Sequence, residues 1–241
     1  MLKVMPIIDT NRLNEVFNLS GLPLDSEKTV QFKRYSELLC EWNEKMNLTA
    51  ITDSEGIAVK HFLDSCLPLS MVDVPTGATV IDVGTGAGFP GVPMKILRSD
   101  ISLTLLDSLN KRLTFLSAVL DDIGLKAELI HSRAEDKGAS ALRESFDIAT
   151  ARAVARLSVL CEYCLPFVKV GGAFLALKGP DAKHEVDEAR SAIKLLGGRV
   201  EAVKEYSLPG GDKRTLIVIA KTAPTPKRFP RKKGIADSPI G

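Results

Sequence analysis

The residues that promise chemistry stand together in Val80-Ile81-Asp82-Val83-Gly84-Thr85-Gly86-Ala87-Gly88-Phe89-Pro90-Gly91. An apolar run holds a carboxylate near its end, alternate glycines let the chain turn tightly and let a ligand approach the backbone, and a helix-forming stretch follows. Two ligand-binding spacings overlap here. Gly86-x-Gly88-x-x-Gly91 is the spacing that lays a pyrophosphate on a helix N-terminus. Asp82-x-Gly84-x-Gly86-x-Gly88 instead puts a carboxylate ahead of the turn. A pyrophosphate needs free N–H groups, and Pro90 and Pro93 remove two of them. Asp82 would repel phosphate and attract an ammonium.

The second spacing therefore suits a nucleoside carrying a cationic amino acid, S-adenosylmethionine (SAM), better than a nicotinamide dinucleotide. Asp107 closes the next apolar run 23 residues after Gly84, where nucleoside-binding sheets hold ribose hydroxyls with an acidic residue. Asp107-Ser108 also has the form of a helix cap. A third run ends in His131-Ser132-Arg133-Ala134-Glu135-Asp136, where a backbone amide and a carboxylate would meet an adenine edge.

The formal net charge is only +2, but residues 221–241 carry six basic side chains against one acidic, which leaves the rest of the chain net acidic. A polyanion is the implied partner. Arg133, Arg152, Lys178, Arg214, Arg228, Arg231 and Lys232 are candidates for phosphate contacts, with Phe89 and Phe229 as stacking faces for an extruded base. A solubilising tail is the alternative for 228–233. His61 lies beside Lys60 and three residues before Asp64 on one helical face, either packing there or organising a nucleic-acid site. His131 ends a strand, and His184 belongs to a charged helix. Cys161 and Cys164 form a lone C-x-x-C pair in an apolar helix, without the further ligands a zinc site needs; they read as buried thiols, and no metal is expected. Four cysteines without a disulfide framework, a start lacking a signal-peptide core and no run of roughly 20 apolar residues predict a cytoplasmic protein outside the membrane.

An α/β fold must position these groups. The 241 residues are 45% hydrophobic and 26% charged, enough for one sizeable core. Residues 1–70 read as helices: a short one capped by Asp9 or Thr10, a longer one from Ser26 whose Tyr35, Leu38, Leu39, Trp42 and Met46 fall at spacings of three and four, and a third from Ser54 that stops at Pro68. Residues 71–221 alternate, with strands at 79–83, 102–107, 126–130, 147–150, 173–178, 200–206 and 215–220 and helices near 88–98, 109–123, 155–168 and 182–196. That pattern predicts a mostly parallel seven-stranded sheet covered on both faces. The last two strands, joined only by 208–212, form an antiparallel hairpin. Proline-rich 222–241 is expected to be an extended basic arm.

The runs Glu41–Thr49, Lys60–Ser65, Asp82–Pro90, Asp107–Arg112, Arg133–Glu135, Thr150–Val154, Leu177–Gly179 and Arg228–Lys232 together resemble the RsmG (GidB) family, bacterial 16S rRNA guanine-N7 methyltransferases with the SAM-dependent Rossmann-like fold. The resemblance implies that Gly84 and Phe89 line the SAM pocket, that Asp107, Ser108 and Leu109 meet its ribose, that Ala134 and Glu135 meet adenine, and that Arg152 lies beside cofactor and target. It further implies a substrate, a guanine in the 530 loop of 16S rRNA, met as rRNA or as a small-subunit precursor. Guanine N7 carries an in-plane lone pair and no proton, so methyl transfer to it needs orientation and no general base. Two other readings of the residues stand beside this one: a nicotinamide-dependent oxidoreductase using the first glycine spacing, and a non-enzymatic RNA- or ribosome-binding protein.

Overall fold

The N-terminal helices begin where short polar side chains can satisfy free backbone amides. In the computed structural model, which describes residues 8–152, 155–180 and 182–232, Asp9 accepts from the amides of Asn11 and Arg12 to start α1 (Thr10–Leu19), and Asp25 accepts from Lys28 to start α2 (Ser26–Met46). A left-handed Asn47 at φ 49° ends α2. The third helix changes pitch twice. α3 (Ser54–Gly56) widens into a π-helix over Ile57–Leu63 and narrows again in α4 (Asp64–Cys66). Pro68, expected to stop the helix, instead opens a further turn, α5 (Pro68–Met71), in a first position where a proline's missing N–H leaves no bond unmade.

Seven strands follow: β1 (Thr79–Val83), β2 (Ser102–Asp107), β3 (Glu128–His131), β4 (Phe146–Arg152), β5 (Val168–Lys178), β6 (Gly198–Ser207) and β7 (Lys213–Lys221). Their spatial order is β3-β2-β1-β4-β5-β7-β6. Neighbours from β3 to β5 pair in parallel, and β7 runs antiparallel to both β5 and β6. The helices between them are α6 (Gly91–Leu97), α7 (Asn110–Asp122), α8 (Ala134–Lys137), α9 (Leu157–Cys164) and α10 (Lys183–Leu195). Strand order reverses between β1 and β4, so the C-terminal ends of these two strands open a crevice.

Alternation along the strands sorts the core into two layers. Val80, Leu105, Leu175, Leu177 and Leu216 pack toward α1, α2, α6 and α7, whereas Ile81, Leu106, Phe174, Ala176 and Ile217 pack toward α9 and α10. Phe17, Phe32, Tyr35 and Phe62 are fully buried in the first layer, so the N-terminal helices form one wall of the same core.

Residues 222–232 depart from the expected extended arm. The amides of Thr222 and Ala223 donate to the Gly197 carbonyl at 2.8 and 3.0 Å, the Thr225 hydroxyl donates to the Leu196 carbonyl, and the Arg143 guanidinium holds the carbonyls of Thr225, Pro226 and Phe229. Phe229 is only 4% exposed, inside the α9–α10 layer. The prolines set an irregular path whose backbone groups find partners on the body instead of in water. Residues 233–241, Lys233 among them, lie outside the described part.

Candidate active site

Gly84, Gly86 and Gly88 have φ values of 71°, 60° and 97°, a region that a side chain disfavours. The Gly84 and Thr85 amides both donate to the Leu106 carbonyl, which ties the turn to the end of β2. Asp82 lies beneath it and not on a cavity wall. Its Oδ2 accepts from the Thr85 hydroxyl at 2.7 Å and the Gly91 amide at 2.9 Å, and its Oδ1 has no partner among the described residues. Burial raises its pKa to about 6. The expected contact of Asp82 with an ammonium is therefore replaced by a structural one, holding the turn to α6. Gly88 is corrected likewise: a Cβ there would sit 2.5 Å from the Tyr35 hydroxyl and 2.7 Å from Leu116 Cδ2, so the missing side chain admits α2 and not a ligand.

A cavity of about 490 Å³ opens above the turn, lined by Gly84, Gly86, Phe89, Asp107 and Ser108 together with Thr49, His61, Arg112 and Arg152. Through Gly84, Asp107 and Ser108 it continues into a smaller one of about 130 Å³ bounded by Arg133, Ala134, Glu135 and Tyr163. Asp107 marks the junction and is 2% exposed. Its Oδ1 accepts from the Leu109 amide at 2.8 Å, and its Oδ2 accepts from the Gly86 amide at 2.9 Å and from Arg112 Nη1 at 3.3 Å. Leu109 itself borders neither cavity and contributes this amide. A nucleoside with a flexible amino-acid tail fits such a site: a carboxylate with one lone pair left unused stands midway, and a glycine turn without side chains runs beside it.

Arg152, at the end of β4, is held by the company it keeps. Its Nη1 donates to the Lys60 carbonyl at 3.1 Å, its Nη2 to His61 Nδ1 at 3.3 Å, and its guanidinium lies 4.8 Å over the Phe89 ring. Arginine can only donate, so His61 Nδ1 carries the lone pair and Nε2–H donates to the Thr49 hydroxyl at 2.7 Å. Burial, with help from Arg152, pushes the His61 pKa down to about 3, and the ring is neutral at physiological pH. Thr49 is presented by Asn43, whose side chain both donates to its carbonyl and accepts from its amide. Phe89, expected as a stacking face, is 6% exposed, with His61 at 4.4 Å and Tyr35 at 5.5 Å between ring centres. Phe229 is equally buried, so neither ring is free for a base.

A further cavity of about 350 Å³ shares His61 and Arg152 with the first and adds Ile51, Lys60, Asp64, Leu177, Lys178 and Arg214. Asp64 joins its walls: Oδ1 accepts from the Tyr206 hydroxyl at 2.9 Å, and Oδ2 from Arg214 Nε at 3.3 Å. Lys178 is set by Glu185 at 2.8 Å and by the Ala155 carbonyl. His61, Arg152, Lys178 and Arg214 thus converge, while Arg133 stands at the far end beside Ala134. The arm is apart from them. Arg231 is bidentate on the fully buried Glu162, which removes it as a phosphate contact; Arg228 lies over the Phe229 ring, and Lys232 is exposed.

Thr49, Arg112 and Tyr206 are site-lining or site-holding residues that sequence reasoning passed over, and Asp64 was noted there only as a neighbour of His61 on one helical face. Asp64 carried a usable signal, an acid embedded in the apolar run from Phe62 to Cys66; Tyr206 carried none. Among the described residues, no three His, Cys, Asp or Glu gather as a metal site, and no helix is long and apolar enough to cross a membrane. Cys161 and Cys164 are buried thiols, raised in pKa by burial.

This sheet order, with a glycine turn after β1 and an acidic residue at the end of β2, defines the SAM-dependent methyltransferase fold, and solved structures share it. A SAM-dependent O-methyltransferase from Thermotoga maritima aligns with a TM-score of 0.52 at 15% identity, covering 78% of this chain and 73% of that one. A 16S rRNA (adenine(1408)-N(1))-methyltransferase from Catenulisporales acidiphilia gives 0.52 at 17%, covering 63% and 88%. At those identities the likeness is one of fold. The family model of GidB, rRNA small subunit methyltransferase G, matches residues 28–217. Ribosomal RNA small subunit methyltransferase G of Lactobacillus johnsonii is 53% identical over 219 residues, 89% of this chain and 92% of that one; the Clostridium perfringens protein is 50% identical over 217, covering 89% and 91%. The chain belongs to the GidB family of rRNA small subunit methyltransferases.

Proposed function

We propose that this chain uses SAM to methylate N7 of a guanine in the 530 loop of 16S rRNA, in the cytoplasm, on rRNA or a small-subunit precursor, by direct in-line transfer. One observation carries the reading: the cavity backed by the glycine turn and Asp107 meets a cation-lined cavity at Arg152 and His61. In the first, Asp107 would take the ribose hydroxyls, Ala134 and Glu135 the adenine, and Gly84 and Gly86 the methionine end. Bound there, SAM supplies a methyl group on a sulfonium.

The protein's own residues have to hold the target and leave its protons alone. Arg152 has no acceptor, and its direction is set by Lys60 and Phe89. His61 is neutral, with its lone pair engaged by Arg152. Neither can serve as a base, and guanine N7 has no proton to surrender, so the groups at the meeting point suit the chemistry. Lys60, Lys178 and Arg214 would hold the flanking phosphates. Nucleoside mass spectrometry of 16S rRNA tests the reading: N7-methylguanosine is expected from cells with the gene and absent from cells without it. Stabilisation by SAM and none by NADH separates it from a dinucleotide enzyme.

A further inference from the structure

We infer that Asp64 selects the target base: its carboxylate accepts from N1–H and the N2 amino group of a guanine held in the second cavity, with N7 turned toward Arg152 and His61. The inference rests on the guanine-N7 reading above and follows from a count of donors and acceptors. Guanine presents acceptors at O6 and N7 on one edge and donors at N1 and N2 on the opposite one, and an extruded base is read by hydrogen bonds to that second edge. Lys60, Lys178, Arg152 and Arg214 are donors only. The His61 lone pair is taken by Arg152. Asp64 is the carboxylate on this wall.

Its lone pairs are not exhausted. Tyr206 uses one on Oδ1 and Arg214 one on Oδ2, while Arg152 stands off at 3.7 Å; a carboxylate has about four such positions. Its place also fits. Asp64 follows His61 by three residues and lines the second cavity, whereas His61 and Arg152 line both. A purine with N7 at the shared boundary therefore turns its N1–N2 edge to Asp64. As the N7 lone pair bonds the methyl carbon, the carbon–sulfur bond breaks with its electrons left on sulfur, and no proton moves. The purine gains positive charge, N1–H becomes a better donor, and the bond to Asp64 strengthens. Adenine, with an acceptor at N1, would face the carboxylate with a repulsive edge.

The experiment uses small subunits assembled on ligated 16S rRNA carrying guanosine or inosine, which lacks the N2 amino group, at the methylated position. Initial rates at low substrate are compared for the parent and Asp64→Asn. The parent is expected to favour guanosine by about tenfold or more, and Asp64→Asn to narrow the ratio to within about threefold, its loss falling on guanosine. A parent that treats both bases alike overturns the inference, and this arm needs no variant to fold. Equal slowing on both bases by Asp64→Asn, with the ratio kept, also overturns it and leaves Asp64 merely holding Arg214 and Arg152. A parent that binds SAM yet forms no N7-methylguanosine on the guanosine substrate removes the functional reading itself, and the inference with it.

Discussion

At His61, burial and a neighbouring guanidinium both favour the uncharged ring, so its pKa falls from 6.5 to about 3. Between those values the unfolded chain binds a proton that the folded chain refuses. Stability contributed by His61 is therefore complete above pH 6.5 and drains away as pH drops toward 3, at up to about 1.4 kcal/mol per pH unit. His61→Gln should show a shallower acid limb in urea melts taken from pH 7 to pH 4; an unchanged limb would mean that the ring is not held neutral. Asp107 makes a ligand prediction at the same scale. A ribose hydroxyl bond to the lone pair that Leu109, Gly86 and Arg112 leave free on this carboxylate, at about 1.5–3 kcal/mol, implies that Asp107→Ala weakens SAM at least about tenfold while RNA affinity holds. Calorimetric titration of both ligands checks it, and equal losses would mark the residue as structural.

The glycine turn and α2 act as one element, because Tyr35 donates to the Ala87 carbonyl and its hydroxyl fills the space beside Gly88. Gly88→Ala should therefore cost more than the left-handed backbone alone, which is about 1–2 kcal/mol, by an overpacking term of about 1–3 kcal/mol. Gly124→Ala is the control: its φ is 69°, and a Cβ there meets nothing within 4 Å. Denaturant melts of the two variants should differ, and equal losses would mean that α2 yields freely. The strands were legible because alternation and glycine punctuation are local. The start of β5 was not: Gly171-Gly172 looks like a turn, yet the strand runs through it from Val168, and a Cβ on Gly172 would stand 2.4 Å from the Asp147 carbonyl at the irregular pairing with β4. The π-helix escaped as well, since its wider turn leaves the apolar spacing of Ile57, Val59, Phe62 and Leu63 compatible with an α-helix. Of the site, the turn and Asp107 could be read from spacing; Asp82 and Gly88 could not be placed, because what decides their roles is Gly91 in the following helix and Tyr35 on a distant one.

Across the whole molecule, the tail's charge divides into one part that folds the chain, Arg231 on Glu162, and one part that stays exposed at Lys232. The docked course of 222–232 was invisible beforehand because its partners, Gly197, Arg143 and Glu162, come from far along the chain. Removing the guanidinium that neutralises a fully buried Glu162 should cost about 3–5 kcal/mol, so Arg231→Gln is expected to lower Tm by roughly 6–20 °C in a chain of this size. Lys232→Gln should leave Tm alone and reduce the dependence of RNA affinity on salt by about 0.7 in log–log slope. Scanning calorimetry and binding at several salt concentrations separate these outcomes, and an unchanged Tm for Arg231→Gln would refute the docked arm. The central claim, that the two cavities meeting at Arg152 and His61 carry a methyl group to guanine N7, has one most direct measurement. Purified protein is incubated with methyl-labelled SAM and small subunits from cells lacking the gene, and the 16S rRNA is then fragmented and sequenced by mass spectrometry. The expected result is one labelled N7-methylguanosine in the 530 loop, lost with Arg152→Ala; label on another atom, on another rRNA segment, or on no RNA at all would contradict it.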